Sequence, residues 1–255
     1  MADPSSPGPA GDPGAYGRSF ADVYDEWYPA DERTAAAVDA IAALAGPGGR
    51  VVELGVGTGR LALPLARRGL RVSGIDASAE MLGHLAAKDP QGLVDVRLGD
   101  VADPDAWPAE PADVVVAAFN LLLNLVDEAR QAATVELAAG HLVPGGHLVV
   151  EAALPARLEA RERRLEVREV TGEAVVLIAT DADPGSGLVL GQHVELRDGQ
   201  PVRLRPWRIR MVDPAAVDGW AARAGLVPAG RHADWAGAPF DPAGAGHVSR
   251  YRRPG

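Results

Sequence analysis

Gly55, Gly57 and Gly59 stand at alternate positions directly after the apolar run Arg50 to Leu54, and Asp76 and Asp100 follow at regular intervals. Glycine lets a backbone turn sharply where a Cβ would collide. A strand, such a turn and a helix starting at Thr58 together make a place for an uncovered ligand group close to the main chain. Glu53, Asp76 and Asp100 each close a strand-like run, where a carboxylate can accept hydrogen bonds or attract a cation. The turn reads G-x-G-x-G, so its third glycine comes one place early for the dinucleotide fingerprint, which would put it at Arg60. Groups able to take a proton are Glu151, at the end of a fifth strand, and His193, on the polar side of a later one. His232, Asp234 and His247 are weaker candidates.

Composition sets limits on what this chemistry serves. A chain of 255 residues is one large domain, or a domain with an insertion. Its net charge of −10 offers no general basic surface for phosphate backbones, so nucleic acid is not an expected substrate. Cysteine is absent, which removes disulfides, thiolate nucleophiles and cysteine metal sites, and no metal is expected. The Pro-, Gly- and Ser-rich residues 1–15 predict a disordered tail, not a signal peptide. The most apolar later run, Val114 to Val126, is too short to span a bilayer. The expectation is a soluble, cytoplasmic protein without a membrane partner.

The elements that position these groups alternate steadily. A helix capped by Asp31 and stopped at Gly46-Pro47 precedes the first strand. Strands at Arg71 to Ile75, Val94 to Leu98, Asp113 to Ala118 and His147 to Glu151 then alternate with helices opened by Ser78 and Asp127. This pattern predicts an α/β fold, a doubly wound, mostly parallel sheet with its ligand site at the carboxyl ends of the strands. Leu154 to Arg164 reads as a charged helix. Four strand-like runs follow, Leu165 to Val170, Ala174 to Thr180, Leu188 to Arg197 and Val202 to Met211, an antiparallel insertion. In the third run Leu188, Leu190, Val194 and Leu196 share one face, and His193, Glu195 and Arg197 the other. The parity of the fourth switches at Pro206, which predicts a bulge or bend there. Asp213-Pro214 opens a last helix, and Leu226 to His232 with His247 to Arg252 form the closing pair of strands. The domain limits are 16–152 for the core with its N-terminal helix, 153–211 for the insertion and 212–255 for the completion of the core.

Glu53-Leu-Gly-Val-Gly-Thr-Gly59 resembles the first motif of the class I S-adenosylmethionine-dependent methyltransferases, and VSGIDAS and VRLGDVAD resemble its companions at Asp76 and Asp100. The resemblance runs from Phe20 to Arg252 and implies a seven-stranded, Rossmann-like sheet ending in an antiparallel edge hairpin. It implies that Gly55, Gly57, Thr58 and Gly59 approach the methionine and ribose, and that Glu53 attracts the cofactor ammonium. Asp76, with Ala77, accepts from the ribose hydroxyls, Asp100 and Val101 meet the adenine, and Met81 covers it. Phe119 and Asn120 lie beside the transferring methyl. In similar enzymes an N-terminal helix carrying Tyr-Asp closes over the cofactor. That gives Tyr24 and Tyr28 a role at the carboxylate and the sulfonium, as against simple packing.

The implied reaction is in-line displacement of methyl from sulfonium to an oxygen or nitrogen of a small molecule, in natural-product metabolism. A base is needed only where the acceptor must lose a proton, and Glu151 and His193 are the catalytic candidates. Arg205 and Arg208 could hold an acidic substrate or be plain surface. GQHVEL, PWRIRM and HVSRY resemble segments of bacterial small-molecule methyltransferases with a β-rich insertion, which either caps the acceptor space or forms a homodimer interface. After Asn120 this chain has Leu-Leu-Leu where related chains carry Thr and Phe, so that wall should be more apolar. Two alternatives remain: a fold relative that catalyses cyclisation or rearrangement, and a nicotinamide dehydrogenase, which the early third glycine argues against.

Overall fold

A computed structural model describes residues 12–155 and 160–255 of the chain. Two short helices, α1 (Ala15–Phe20) and α2 (Tyr24–Trp27), lead into α3 (Glu32–Ala45), β1 (Arg50–Leu54), α4 (Ala62–Arg67), β2 (Arg71–Asp76), α5 (Ala79–Lys88) and β3 (Val94–Leu98). Next come β4 (Ala112–Ala117), α6 (Leu121–Asn124), α7 (Glu128–Gly140) and β5 (Leu142–Ala153). The insertion is β6 (Glu162–Val170), β7 (Ala174–Asp183), β8 (Leu188–Arg197) and β9 (Arg203–Arg210), and α8 (Pro214–Arg223), β10 (Val227–His232) and β11 (Gly246–Arg252) complete the chain.

The seven-stranded sheet has the order β10-β11-β5-β4-β1-β2-β3, and β6 to β9 form a separate four-stranded sheet in chain order. β1 pairs in parallel with both β2 and β4, so the winding reverses at β1. A crevice opens at such a reversal, beyond the carboxyl ends of the strands. Strand alternation splits the core in two: Val114 and Val116 pack with Ile41 and Leu65 on one face, Val115 and Leu148 with Trp220 on the other. β5, β11 and β10 pair antiparallel at the sheet edge, as the resemblance implies.

Caps fix several helix starts where the sequence places them. The Asp31 carboxylate accepts from the Thr34 amide at 2.9 Å, with Thr34 Oγ1 accepting in return from the Asp31 amide. Ser78, Asp127 and Asp213 cap α5, α7 and α8.

Four expectations are corrected. Asp12 to Ala15 are not tail: the Asp12 carboxylate holds the Gly14 amide and the Arg18 guanidinium, and α1 starts at Ala15; the rest of the expected tail, residues 1–11, lies outside the described residues. The N-terminal helix is two helices, because the chain turns at Ala21 to Val23. Glu162 to Arg164 open β6, where cross-strand bonds to β7 replace the charged helix, and 156–159 lie outside the described residues. β8 and β9 pair without interruption through Gln192 and Pro206, so no bulge forms there: β9 is an edge strand, and proline is tolerated where its missing N–H faces no partner. Among the described residues no helix is long and apolar enough to cross a membrane.

Candidate active site

A cleft of about 1170 Å³ lies between the carboxyl ends of β1, β2 and β4, the helices α1 and α2, and the four-stranded sheet. Drug-sized ligands occupy pockets of roughly 300–1,000 Å³, so this one has room for two partners side by side. Of the residues expected at the cofactor, Tyr24, Tyr28, Gly55, Gly57, Asp76, Ala77, Met81, Asp100, Val101, Phe119 and Asn120 line it. Glu53, Thr58 and Gly59 stand behind that surface.

The glycine turn is left-handed, with φ +68° at Gly55 and +54° at Gly57. At Gly55 a Cβ would strike Leu121, whereas at Gly57 it would make only an ordinary contact with the Gly55 carbonyl oxygen at 3.9 Å and no side chain covers the main chain there. Asp76 ties the turn to β2: one carboxylate oxygen accepts from the Gly57 amide at 2.8 Å, the other from the Ser78 amide at 2.8 Å. Burial raises the Asp76 carboxyl above its ordinary value. Asp100 accepts from the Ala102 amide and pairs with Arg130 from α7.

Glu53 is 3 % exposed, and its Oε2 has no partner among the described residues. Burial pushes its carboxyl up to about 8, against the pull of Arg60. A carboxyl neutral in the fold and ionised when unfolded makes stability fall as pH rises from its unfolded value of about 4.5 to about 8. This contribution is at most about 1.4 kcal/mol per pH unit. Thermal melts of Glu53→Gln between pH 5 and 8 should therefore fall less steeply than the wild type's. Parallel slopes would show that Glu53 is ionised in the empty protein.

Beyond β4 the backbone is strained. Phe119 and Asn120 both adopt left-handed φ, +51° and +64°, which costs non-glycine residues about 1–3 kcal/mol each and clusters at functional sites. Side chains hold the corner in place: Glu151 Oε2 accepts from the Phe119 amide at 2.8 Å and Asn120 Oδ1 from the Ala153 amide at 2.7 Å. The Arg60 guanidinium lies 3.4 Å from the Phe119 ring centroid, and donates to the Tyr24 hydroxyl at 3.3 Å. Of the three leucines after Asn120, only Leu121 reaches the cleft; Leu122 and Leu123 are buried in the core.

Both expected bases are otherwise engaged. Glu151 does not line the cleft and is the acceptor that supports the strained corner, its other oxygen lying 3.9 Å from Arg33. His193 does line the cleft, but its Nδ1 accepts from Trp207 Nε1 at 3.0 Å, and its ring packs between Phe20 and Trp27. Burial, with the charges of Arg168 and Arg205, lowers it to about 4, so it is a neutral imidazole with little basicity to offer. Thr58 gives its hydroxyl to Asp25 at 2.5 Å instead of to the cleft. Arg205 is neither surface nor substrate site. It is buried and bonded to Asp22, Glu195 and the Ser19 carbonyl.

A family profile described as "Methyltransferase domain" matches residues 51–146. The structure of the CcbJ methyltransferase from Streptomyces caelestis is 39% identical, covers 96% of this chain and 100% of that one, and superposes with a TM-score of 0.88. The chain belongs to the class I S-adenosylmethionine-dependent methyltransferases. An S-adenosylmethionine-dependent methyltransferase from Clostridium acetobutylicum, 16% identical over 93% of this chain and 99% of that one, shares the fold with a TM-score of 0.78. A sequence relative described as an uncharacterized methyltransferase from Geobacillus kaustophilus is 31% identical over 52% of this chain. The match spans 66% of that protein's length.

The residues present fit S-adenosylmethionine. The buried carboxyl of Glu53, with an unpartnered oxygen, suits an ammonium, the bare main chain at Gly57 suits close approach, and the Asp76 carboxylate suits a pair of hydroxyls. Sequence reasoning passed over Arg60 and Arg130. Arg60 adjoins the glycine turn, which was the only signal for it. Arg130 meets Asp100 across thirty positions of chain, and no local pattern announces that pairing.

Proposed function

We propose that this enzyme transfers the methyl group of S-adenosylmethionine to a nitrogen of a small molecule, with an oxygen acceptor as the second choice. The observation that carries the choice is the engagement of Glu151 and His193 elsewhere. An alcohol must lose a proton as it attacks, and needs a base. A neutral amine carries its own lone pair and sheds the proton afterwards. Bound S-adenosylmethionine supplies an already activated methyl group, so alignment and exclusion of water carry most of the rate.

In this reading Gly55, Gly57 and Asp76 seat the nucleoside, Asp100 and Val101 meet its base under Met81, and Glu53 draws its ammonium. Tyr24, Tyr28 and Phe119 face the sulfonium, where aromatic faces stabilise a cation. The acceptor enters from the side of Leu121, Ile178 and Trp207, which also line the cleft.

Titration with S-adenosylhomocysteine and with NADH, then incubation with S-adenosylmethionine and matched panels of small amines and alcohols, tests the reading. Amines should gain one methylene in mass. Preference for the dinucleotide, or products without that gain, would sink it. His193→Gln and Glu151→Gln should each keep turnover within about tenfold, whereas loss of a working base costs 10²–10⁴-fold.

The outer face of the four-stranded sheet exposes Leu165, Val167 and Leu204. We assign it to self-association, since contiguous apolar surface of this kind marks contact sites. Sedimentation should then show a dimer that Val167→Asp dissociates, and a monomeric wild type would refute it. A cytoplasmic setting remains part of the same proposal.

A further inference from the structure

Arg168 stands on β6 at the one place where the β6–β7 pairing slips. Val167 faces Leu177 and Glu169 faces Val176, so Arg168 is the extra residue of a bulge. Bulges leave one residue out of the ladder and re-aim its side chain, and they concentrate beside functional sites. Here the side chain is carried into the cleft, where Arg168 joins Tyr28, His193 and Trp207 in the lining.

Its surroundings are unlike those of its neighbours. Arg18, Arg130 and Arg210 line the same cleft, and each is paired with a carboxylate, Asp12, Asp100 and Glu128 respectively. Arg168 gives one N–H to the Trp27 carbonyl at 2.8 Å and lies 4.9 Å and 4.8 Å from the ring centroids of Trp27 and Tyr28. Among the described residues no carboxylate bonds it. The rings fix the guanidinium plane without neutralising its charge. A planar fork of five donors with one in use matches the two oxygens of a carboxylate. The positive wall is also felt by His193, which Arg168 helps to keep neutral.

We propose that Arg168 is a carboxylate anchor of the cleft, holding an anionic oxygen pair on the ligand that fills the space beside Tyr28, His193 and Trp207. The inference rests on the methyl-transfer reading and narrows its substrates to carboxylated ones, unless the carboxylate belongs to the cofactor's own methionine end. Either source presents the same chemistry to the arginine.

Benzoate and benzamide are matched probes for an aromatic-walled site, differing in charge at the group Arg168 would hold. Calorimetric titration of the S-adenosylhomocysteine-loaded enzyme should show benzoate binding at least about tenfold tighter than benzamide. Arg168→Met should bind the two alike, and Arg168→Lys, which keeps the charge but loses the fork, should retain part of the preference. A second arm compares S-adenosylhomocysteine with methylthioadenosine, which lacks the amino-acid end. If Arg168→Met costs the first about tenfold and leaves the second unchanged, and benzoate binds only the unloaded enzyme, the anchor serves the cofactor. If both nucleosides are unchanged and the benzoate preference disappears, it serves the acceptor. The proposal is overturned if wild type, loaded or unloaded, does not prefer benzoate and S-adenosylhomocysteine binding ignores the substitution. Failure of wild type to bind S-adenosylhomocysteine at all would instead sink the methyl-transfer reading.

Discussion

Asp76→Ala is expected to weaken S-adenosylhomocysteine binding by about a hundredfold or more while leaving the fold intact. The Asp76 carboxylate lines the cleft at the end of β2 and already accepts from two main-chain amides, Gly57 and Ser78. Those bonds use one lone pair on each oxygen and leave the others for ligand hydroxyls. A hydrogen bond to a charged group is worth about 1.5–3 kcal/mol, so losing two ribose contacts accounts for a hundredfold even after partial replacement by water. Removing the carboxylate also frees the glycine turn that faces the ligand, which adds to the loss. The hydrophobic clusters of the core do not include Asp76, so circular dichroism and melting should change little. A 2′-deoxy analogue of S-adenosylhomocysteine separates the two effects. Wild type should discriminate against it by about tenfold, and Asp76→Ala should not. Unchanged affinity in Asp76→Ala would remove the ribose contact from the account.

The place of Asp76 in the cleft could be read in the sequence because it is local: a strand ends where the crevice begins, and position along the chain suffices. The same holds for Gly57, whose left-handed backbone glycine alone adopts readily. The four strands of the insertion were also legible, since alternation survives in any tertiary setting. Which face of that sheet turns inward was not. Ordinary burial would hide Leu165, Val167 and Leu204, yet these are exposed, while His193, Glu195 and Arg205 are buried. A polar face can be buried only when partners from elsewhere satisfy it, and those partners, Asp22 and the Ser19 carbonyl, lie more than 180 positions away in the chain from Arg205. The partners of Glu151 and His193 are hidden from the sequence for the same reason. Their types suit proton transfer, and only the fold shows one bonded to the Phe119 amide and the other to Trp207. The bend expected at Pro206 failed because parity was read from one strand without its partner, while the actual register slip lies at Arg168.

That buried polar face carries the second large expectation. Arg205→Met should open the N-terminal helices before the core melts, and should cost up to about 3 kcal/mol. That is the low end of the penalty for breaking a buried pair, because Glu195 keeps Arg197 and Asp22 keeps Arg203. Arg205 is 1 % exposed; it meets Asp22 at 2.6 Å and 3.1 Å, Glu195 at 3.0 Å, and the Ser19 carbonyl at 2.7 Å. It thereby fastens α1 and the turn after it to β8 and β9, alongside the Arg203–Asp22 pair and the Arg168 bond to the Trp27 carbonyl. Burial works to raise both Asp22 and Glu195, but Arg205 with Arg203 at Asp22, and Arg197 with Arg205 at Glu195, hold both below the ordinary carboxylate range. With folded values depressed, their contribution is complete above the unfolded carboxylate pKa and is lost as pH falls through the folded values. Acid should therefore loosen α1 and α2 first in the wild type, as the substitution does at neutral pH. Hydrogen exchange locates the effect: amides of α1 and α2 should lose protection in Arg205→Met while those of β1 and β4 keep theirs. Replacing Glu195 by Leu in the same chain removes the buried carboxylate that has lost one of its two arginines and should restore part of the loss, as apolar replacement of a buried ion pair often does. A double variant no more stable than Arg205→Met would mean that the arginine acts through packing on Trp27, 5.3 Å from its guanidinium carbon, and not through its charge.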